Sequence, residues 1–189
     1  VLAQGDNRAS AAQAARAMAE HRYDEAAAIY RELLKVTPDE PELHANLGMA
    51  LAMGGHDAEA VPQLERAIAL NPKLTNARVV LGSSYMAMGQ PAKAIAALQH
   101  VVAAQPSNLE SHRLLAEAHA AAERPVEALT ELRKITQIAP KEPAGWYALG
   151  HSYNAVAQDA MATFNDSPDD RSWRQLLLAD ALAADGRLT

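Results

Sequence analysis

Residues 41–74 read PELHANLGMALAMGGHDAEAVPQLERAIALNPKL, and residues 75–108 read TNARVVLGSSYMAMGQPAKAIAALQHVVAAQPSN. Set one under the other, the two stretches keep the same kinds of residue in the same places. Leu47-Gly48 stands over Leu81-Gly82, Ala60 over Ala94, Leu64 over Leu98, and Asn71-Pro72 over Gln105-Pro106. The interval in every case is that from Pro38 to Pro72, and it continues in both directions. Thr37-Pro38 and Ala139-Pro140 extend the proline series, Leu115-Ala116 and Leu149-Gly150 the leucine–small series, and Ala26 and Ala128 the alanine series. Four places beyond that alanine a large residue recurs as Tyr30, Leu64, Leu98 and Leu132; three further on come Leu33, Ala67, Val101 and Ile135. Several residue types in one register mark a repeat architecture.

Each period divides into two helical segments broken by a short turn. The turns are Gly54-Gly55-His56, Gly89-Gln90-Pro91 and Glu123-Arg124-Pro125. Pro91 and Pro125 suit the first turn of a helix, where a missing N–H costs nothing. Pro38, Pro72, Pro106 and Pro140 stop the second helix, because proline cannot continue the hydrogen-bond ladder. Glycine inside a helix costs about 1 kcal/mol against alanine. Gly48, Gly82 and Gly150 all take that cost in one slot, which predicts a close approach by the facing helix. A single hairpin cannot bury its large residues alone, so the units must stack into an extended superhelix with a concave side.

Composition agrees. Of the 189 residues 43 are alanine and only 4% are aromatic, which favours helices that pack closely. Val, Ile and Thr never form an alternating run, so no strand competes. The net charge of −6, with 17 basic residues scattered among 23 acidic ones, argues against a nucleic-acid partner and against an anionic membrane surface. No apolar run approaches the roughly 20 residues that span a bilayer. The absence of cysteine excludes disulfides, thiol catalysis and cysteine-ligated zinc.

The residues Trp146-x2-Leu149-Gly150-x2-Tyr153, the alanine series and the terminal prolines together resemble the tetratricopeptide repeat. The pattern of that family runs W-x2-L-G-x2-Y, A-x3-F, P over a period of about 34 residues. Elsewhere the Trp slot holds His44, Arg78 and His112, a looseness that the family allows. The resemblance implies an all-α solenoid of helix-turn-helix repeats forming a right-handed superhelix. It covers nearly the whole chain, which is read as one domain, 1–189, with repeats at about 7–40, 41–74, 75–108 and 109–142.

Both ends depart from the pattern. Gln13-Ala14 fills the Leu-Gly slot of a degenerate first unit, whose helices are expected at about 8–20 and 24–35. Its Arg-, Gln- and Ala-rich first helix suits a cap with one solvated face. After Gly150 no Gly, Pro or turn cluster appears as far as Phe164. A deleted inter-helix turn would fuse two short helices into one of about 22 residues, well above the usual mean, making 143–171 an atypical unit. Residues 172–189 form an incomplete unit with a first helix at about 171–185. Its Leu176, Leu177, Leu178 and Leu182 offer more apolar surface than one partner helix covers, which points to a fragment of a longer array. Val1-Leu2-Ala3-Gln4-Gly5-Asp6 reads either as the tail of a cleaved secretory signal or as a plain chain start. The first reading puts the chain in an exported or periplasmic setting, the second in the cytoplasm.

No phosphate loop, nucleophile elbow or HExxH stands in the sequence, so the chain is read as no enzyme, with no cofactor and no metal. His112 and His119 share a helix face two turns apart, too far to hold one ion, and they fall in the Trp and Tyr slots as packing residues. His21 and His56 sit in turns, where solvated polarity accounts for them.

In the proteins that this chain resembles, the first helix of each pair lines a concave groove. The resemblance therefore implies a peptide-binding face at Ala45, Met49, Val79, Ser83, Met86, Arg113, Glu117, Tyr147, His151 and Asn154, with Ala52, Ala120, Leu176 and Asp180 in register. The carboxylate clamp of the co-chaperone members is missing, since its slots hold Ala45, Met49 and Leu114. The partner expected is a protein or peptide with apolar side chains, with Met49 and Met86 as adaptable contacts. Three functions follow: an interaction scaffold first, then the helical arm of a larger enzyme or assembly complex, or a solenoid that self-associates through helix 171–185.

Overall fold

The computed structural model describes residues 2–165. Among them run nine α-helices and no strand: α1 (Leu2–Ala19), α2 (Tyr23–Val36), α3 (Pro41–Met53), α4 (Asp57–Leu70), α5 (Thr75–Ala87), α6 (Pro91–Ala104), α7 (Leu109–Ala121), α8 (Pro125–Ile138) and α9 (Pro143–Asn165). Each helix packs on the next, as stacked hairpins must. The chain is an all-α solenoid.

The series read from the sequence are the core. Ala26, Ala60 and Ala94 are fully buried, and so are Leu64, Leu98, Ala67 and Val101. The predicted close approach is present. A Cβ built on Gly48 would lie 2.6 Å from Leu64 Cγ, and one on Gly82 would lie 2.6 Å from Leu98 Cγ. The absent side chain of one helix is thus the seat of a leucine from its hairpin partner. α1 begins at Leu2, well before the expected start near residue 8, while α2 overruns the expected 24–35 by one residue at each end.

The turns inside the hairpins share one geometry. His21, Gly55, Gly89 and Glu123 occupy the same register, and all have positive φ, from 57° to 81°. The next residue donates its N–H back five positions, as in His56 to Leu51 and Gln90 to Tyr85, both at 2.8 Å. That is a Schellman closure, which needs one left-handed residue. The stops between hairpins also follow a rule. Thr37, Asn71, Gln105 and Ala139 end their helices, and a proline follows each.

Two rows result. α3 touches α5, and α5 touches α7, whereas no even-numbered pair makes a comparable contact. The closer spacing puts the odd-numbered row on the inner side of the curve. The core is also divided. One cluster runs from Ala14 to Ala118; a smaller one, around Ala116, Leu129, Leu132, Ile135 and Leu149, holds α9. α9 runs 23 residues without a break and reaches the rest of the fold through α8.

Candidate functional site, a cleft on the inner row

The residues assigned to the groove lie on α3, α5, α7 and α9, the inner row. They differ in how far they open to solvent. Ala45 is buried within the core cluster. Met49, Val79 and Met86 are half-buried, and Ser83, Arg113, Glu117, His151 and Asn154 are exposed. Tyr147 is 75% exposed, the most open large apolar residue of the described chain. Leu176 and Asp180 lie outside the described residues, as does the rest of the helix expected at 171–185.

Four of these side chains come together. Arg113 and Glu117 on α7 and Tyr147 and His151 on α9 rim a cleft of about 360 Å³. Its floor is Ala116, Ala120, Ala128, Leu132 and Ala148, contributed by α7, α8 and α9. The small floor residues follow from the repeat. Ala116 stands in the glycine slot and Ala128 in the alanine slot, so the helices that meet there have little between them. α7 and α9 do not close on one another as α3 does on α5, and the gap is the cleft.

The rim is polar and partly paired. Arg113 forms an ion pair with Glu110, one turn back on α7. The Tyr147 and His151 rings stand 6.2 Å apart, tilted at 57°. An apolar floor beneath a few convergent polar groups is the usual make-up of a ligand cleft. A second, smaller hollow of about 180 Å³ lies alongside, between Leu109, Ile135 and Gly145, and shares Arg113, Leu132 and Ala148 with the first. Of the floor residues only Ala120 stands in the sequence-based assignment, since a residue that packs and one that lines a gap carry the same pattern. Met49, Val79, Ser83 and Met86 line neither hollow and continue the inner row away from them.

The two histidines read as packing residues are such. His112 is 2% exposed and His119 is 4% exposed, both inside the stack. Burial lowers the pKa of His119, and the nearby Arg124 guanidinium lowers it further. Among the described residues no helix is long and apolar enough to cross a membrane.

The comparisons with known proteins agree with this architecture. Family models described as tetratricopeptide repeat match residues 17–81 and 79–143, together about two thirds of the chain. No curated protein matches the chain in sequence. Among solved structures, a MamA chain from Desulfovibrio magneticus RS-1 is 24% identical over 83% of this chain and 88% of its own, with a TM-score of 0.75. A further MamA structure, 18% identical, covers 97% of this chain and 96% of its own at the same TM-score of 0.75. YrrB, described as a TPR protein with an unusual peptide-binding site, is 24% identical over 71% of this chain and 70% of its own, with a TM-score of 0.66. At these identities the likeness is one of fold. With the constant register, the paired helices and the glycine–leucine seats in view, the chain belongs to the tetratricopeptide repeat family.

Proposed function

We propose that this chain is a non-catalytic interaction scaffold that holds a peptide segment of a partner protein along the inner row, anchored in the cleft between α7, α8 and α9. The observation that carries this reading is the convergence of Arg113, Glu117, Tyr147 and His151 around a floor of alanines and Leu132. A cleft of about 360 Å³ accommodates one large apolar side chain with its flanking backbone. The exposed Tyr147 ring would close over that side chain, and the charged rim would meet the peptide's polar groups. Half-buried Met49, Val79 and Met86 continue the wall, and methionine adapts readily to different apolar partners. YrrB's peptide-binding site, on the same fold, is a precedent for this use of the architecture. The regular units at 41–74, 75–108 and 109–142 build the face together with α9 of the atypical unit that follows them.

The test is a library of random peptides displayed and panned against the intact chain. The selected peptides are expected to carry an apolar anchor. Their affinity, read by fluorescence anisotropy, should fall about 10-fold or more in Tyr147→Ala, as for an aromatic anchor of an interface. Val126→Ala, at an exposed position on the outer row, should leave it unchanged. Peptides that bind both variants equally well would place the site elsewhere and overturn the reading.

A further inference from the structure

The two hollows beside α9 share Arg113, Leu132 and Ala148, so they are the two ends of one trough. α7 forms one wall, from Leu109 in the smaller hollow to Ala120 in the larger, a rise of about 16 Å. α9 forms the other wall in the same direction, from Ala144 to Ser152. Ile135, Leu132 and Ala128 of α8 succeed one another along the floor, so it is apolar from end to end.

These dimensions select a shape of ligand. The residues that line the two hollows are centred about four to six positions apart on each wall, or roughly 6–9 Å. An extended chain rises about 3.3 Å per residue, so the trough holds about five residues of it. Side chains two apart in a strand, or three apart in a polyproline helix, point the same way and span the distance between the hollows.

The charges select a composition. Glu110, Arg113, Glu117 and Glu142 line the trough, and Arg113 is held by Glu110. Glu117 in the larger hollow and Glu142 in the smaller one are exposed and form no ion pair among the described residues. Lys141, beside Glu142 in the chain, lines neither hollow. Each end of an apolar trough therefore carries one unbalanced carboxylate, on opposite walls. Such an arrangement complements a ligand that is apolar at two anchors and cationic next to them. The net charge of −6 adds a long-range attraction for a cationic ligand and repels a second copy of this chain.

We propose that the ligand of this trough is an extended basic peptide, with one apolar side chain in each hollow and a Lys or Arg beside each to meet Glu117 and Glu142. The proposal rests on the reading of the cleft as a peptide site and adds the class of peptide that it takes.

The random peptide library panned against the intact chain supplies the probes. Selected peptides are expected to carry two apolar residues two or three places apart, with Lys or Arg next to them. Two variants then test the parts: Glu117→Gln combined with Glu142→Gln, and Ala144→Phe, whose ring would fill the smaller hollow. All three positions are exposed, and far-UV circular dichroism checks that the helices are kept. The double variant should bind the selected peptides about 3- to 10-fold more weakly at low salt, and the difference should shrink as salt rises. In Ala144→Phe, replacing one of the two apolar peptide residues by serine should no longer weaken binding. Peptides that lose affinity in Tyr147→Ala but show no basic preference, or bind the double variant unchanged, would overturn this proposal and leave the scaffold reading standing. Peptides indifferent to Tyr147→Ala would overturn both.

Discussion

The indole Nε1 of Trp146 donates a hydrogen bond to the backbone carbonyl of Pro140, at 2.9 Å. The same bond recurs once per repeat with different chemistry. His44 Nε2 meets the Pro38 carbonyl at 2.8 Å, His112 Nε2 meets that of Pro106 at 2.9 Å, and Arg78 donates to that of Pro72 at 3.4 Å. In the sequence His44, Arg78 and His112 look like lapses from a tryptophan consensus. In the structure all four supply an N–H to the proline that stops the previous helix, and so pin the loop between hairpins. What the slot requires is a donor with reach; ring size is secondary.

His112 carries the most of this role. It is buried, and its Nδ1 also meets the Glu131 carboxylate at 2.6 Å, while Lys134 reaches the other oxygen at 2.9 Å. Replacing His112 by Ala leaves a buried carboxylate with one partner and takes the side-chain donor from the Pro106 carbonyl. The expected loss is about 3–5 kcal/mol, in the range of a broken buried pair. His44→Ala, whose side-chain partner Gln63 is neutral, should lose about 1 kcal/mol. Urea denaturation of the two variants checks the ranking, and equal losses would contradict it.

Gly82 and Gly150 occupy one register but predict opposite outcomes. A Cβ at Gly82 meets three Leu98 carbons at 3.0 Å or less, so Gly82→Ala must displace a fully buried leucine. Overpacking of that kind costs about 1–3 kcal/mol, more than the gain in helix propensity. Gly150→Ala meets nothing among the described residues and should stabilise by up to about 1 kcal/mol. Thermal unfolding of both variants reads the signs directly.

Glu123 holds φ at 57° in the turn between α7 and α8, where the matching turns have Gly55 and Gly89. A side chain in that conformation costs about 1–2 kcal/mol, and part of this returns as unfolded-state entropy on mutation to glycine. Glu123→Gly should therefore stabilise by about 0.5–1 kcal/mol, and Glu123→Ala should not. Denaturant midpoints distinguish the two.

Tyr85 and His119 fill the same slot of neighbouring repeats and set opposite pH limits. Burial, together with the hydrogen bond to Glu65 at 2.6 Å, raises the Tyr85 phenol to about 12. The folded state therefore holds its proton more tightly than the unfolded chain. The stabilisation is complete below about pH 10, the ordinary tyrosine value, and is lost as pH rises toward 12. His119 is lowered, chiefly by burial, so its contribution is present above about pH 6.5 and is lost as the medium becomes more acid. Tyr85→Phe should flatten the alkaline fall in stability and His119→Leu the acid one, each relative to the parent, in unfolding measured across pH. An unchanged acid limb in His119→Leu would remove the second claim.

Much of the fold was legible because its determinants are local and repeated. Ala26, Ala60, Ala94 and Ala128 announce helices that touch, and Pro38 and its successors announce stops, whereas Leu64 and Leu98, large residues expected between one hairpin and the next, sit on Gly48 and Gly82 of their own hairpin. The turns were legible in part. Gly54-Gly55 and Gly89 signal a left-handed residue, but His21 and Glu123 take the same conformation without a glycine to mark it. The candidate site was legible as a register and not as a place. Arg113, Glu117, Tyr147 and His151 share a pattern with Ala45 and Ser83, yet only those four rim the cleft.

The sequence by itself determined the repeat, its period, the two helices of each unit and the residues that pack between them, because each depends on neighbours within one or two hairpins. Only the tertiary structure decided where the stack opens. The gap between α7 and α9, the second core cluster and the exposure of Trp146, Tyr153 and Met161 on α9 among the described residues depend on how a helix without an internal turn meets units that have one. That depends on where whole helices lie, which the spacing of a repeat does not encode.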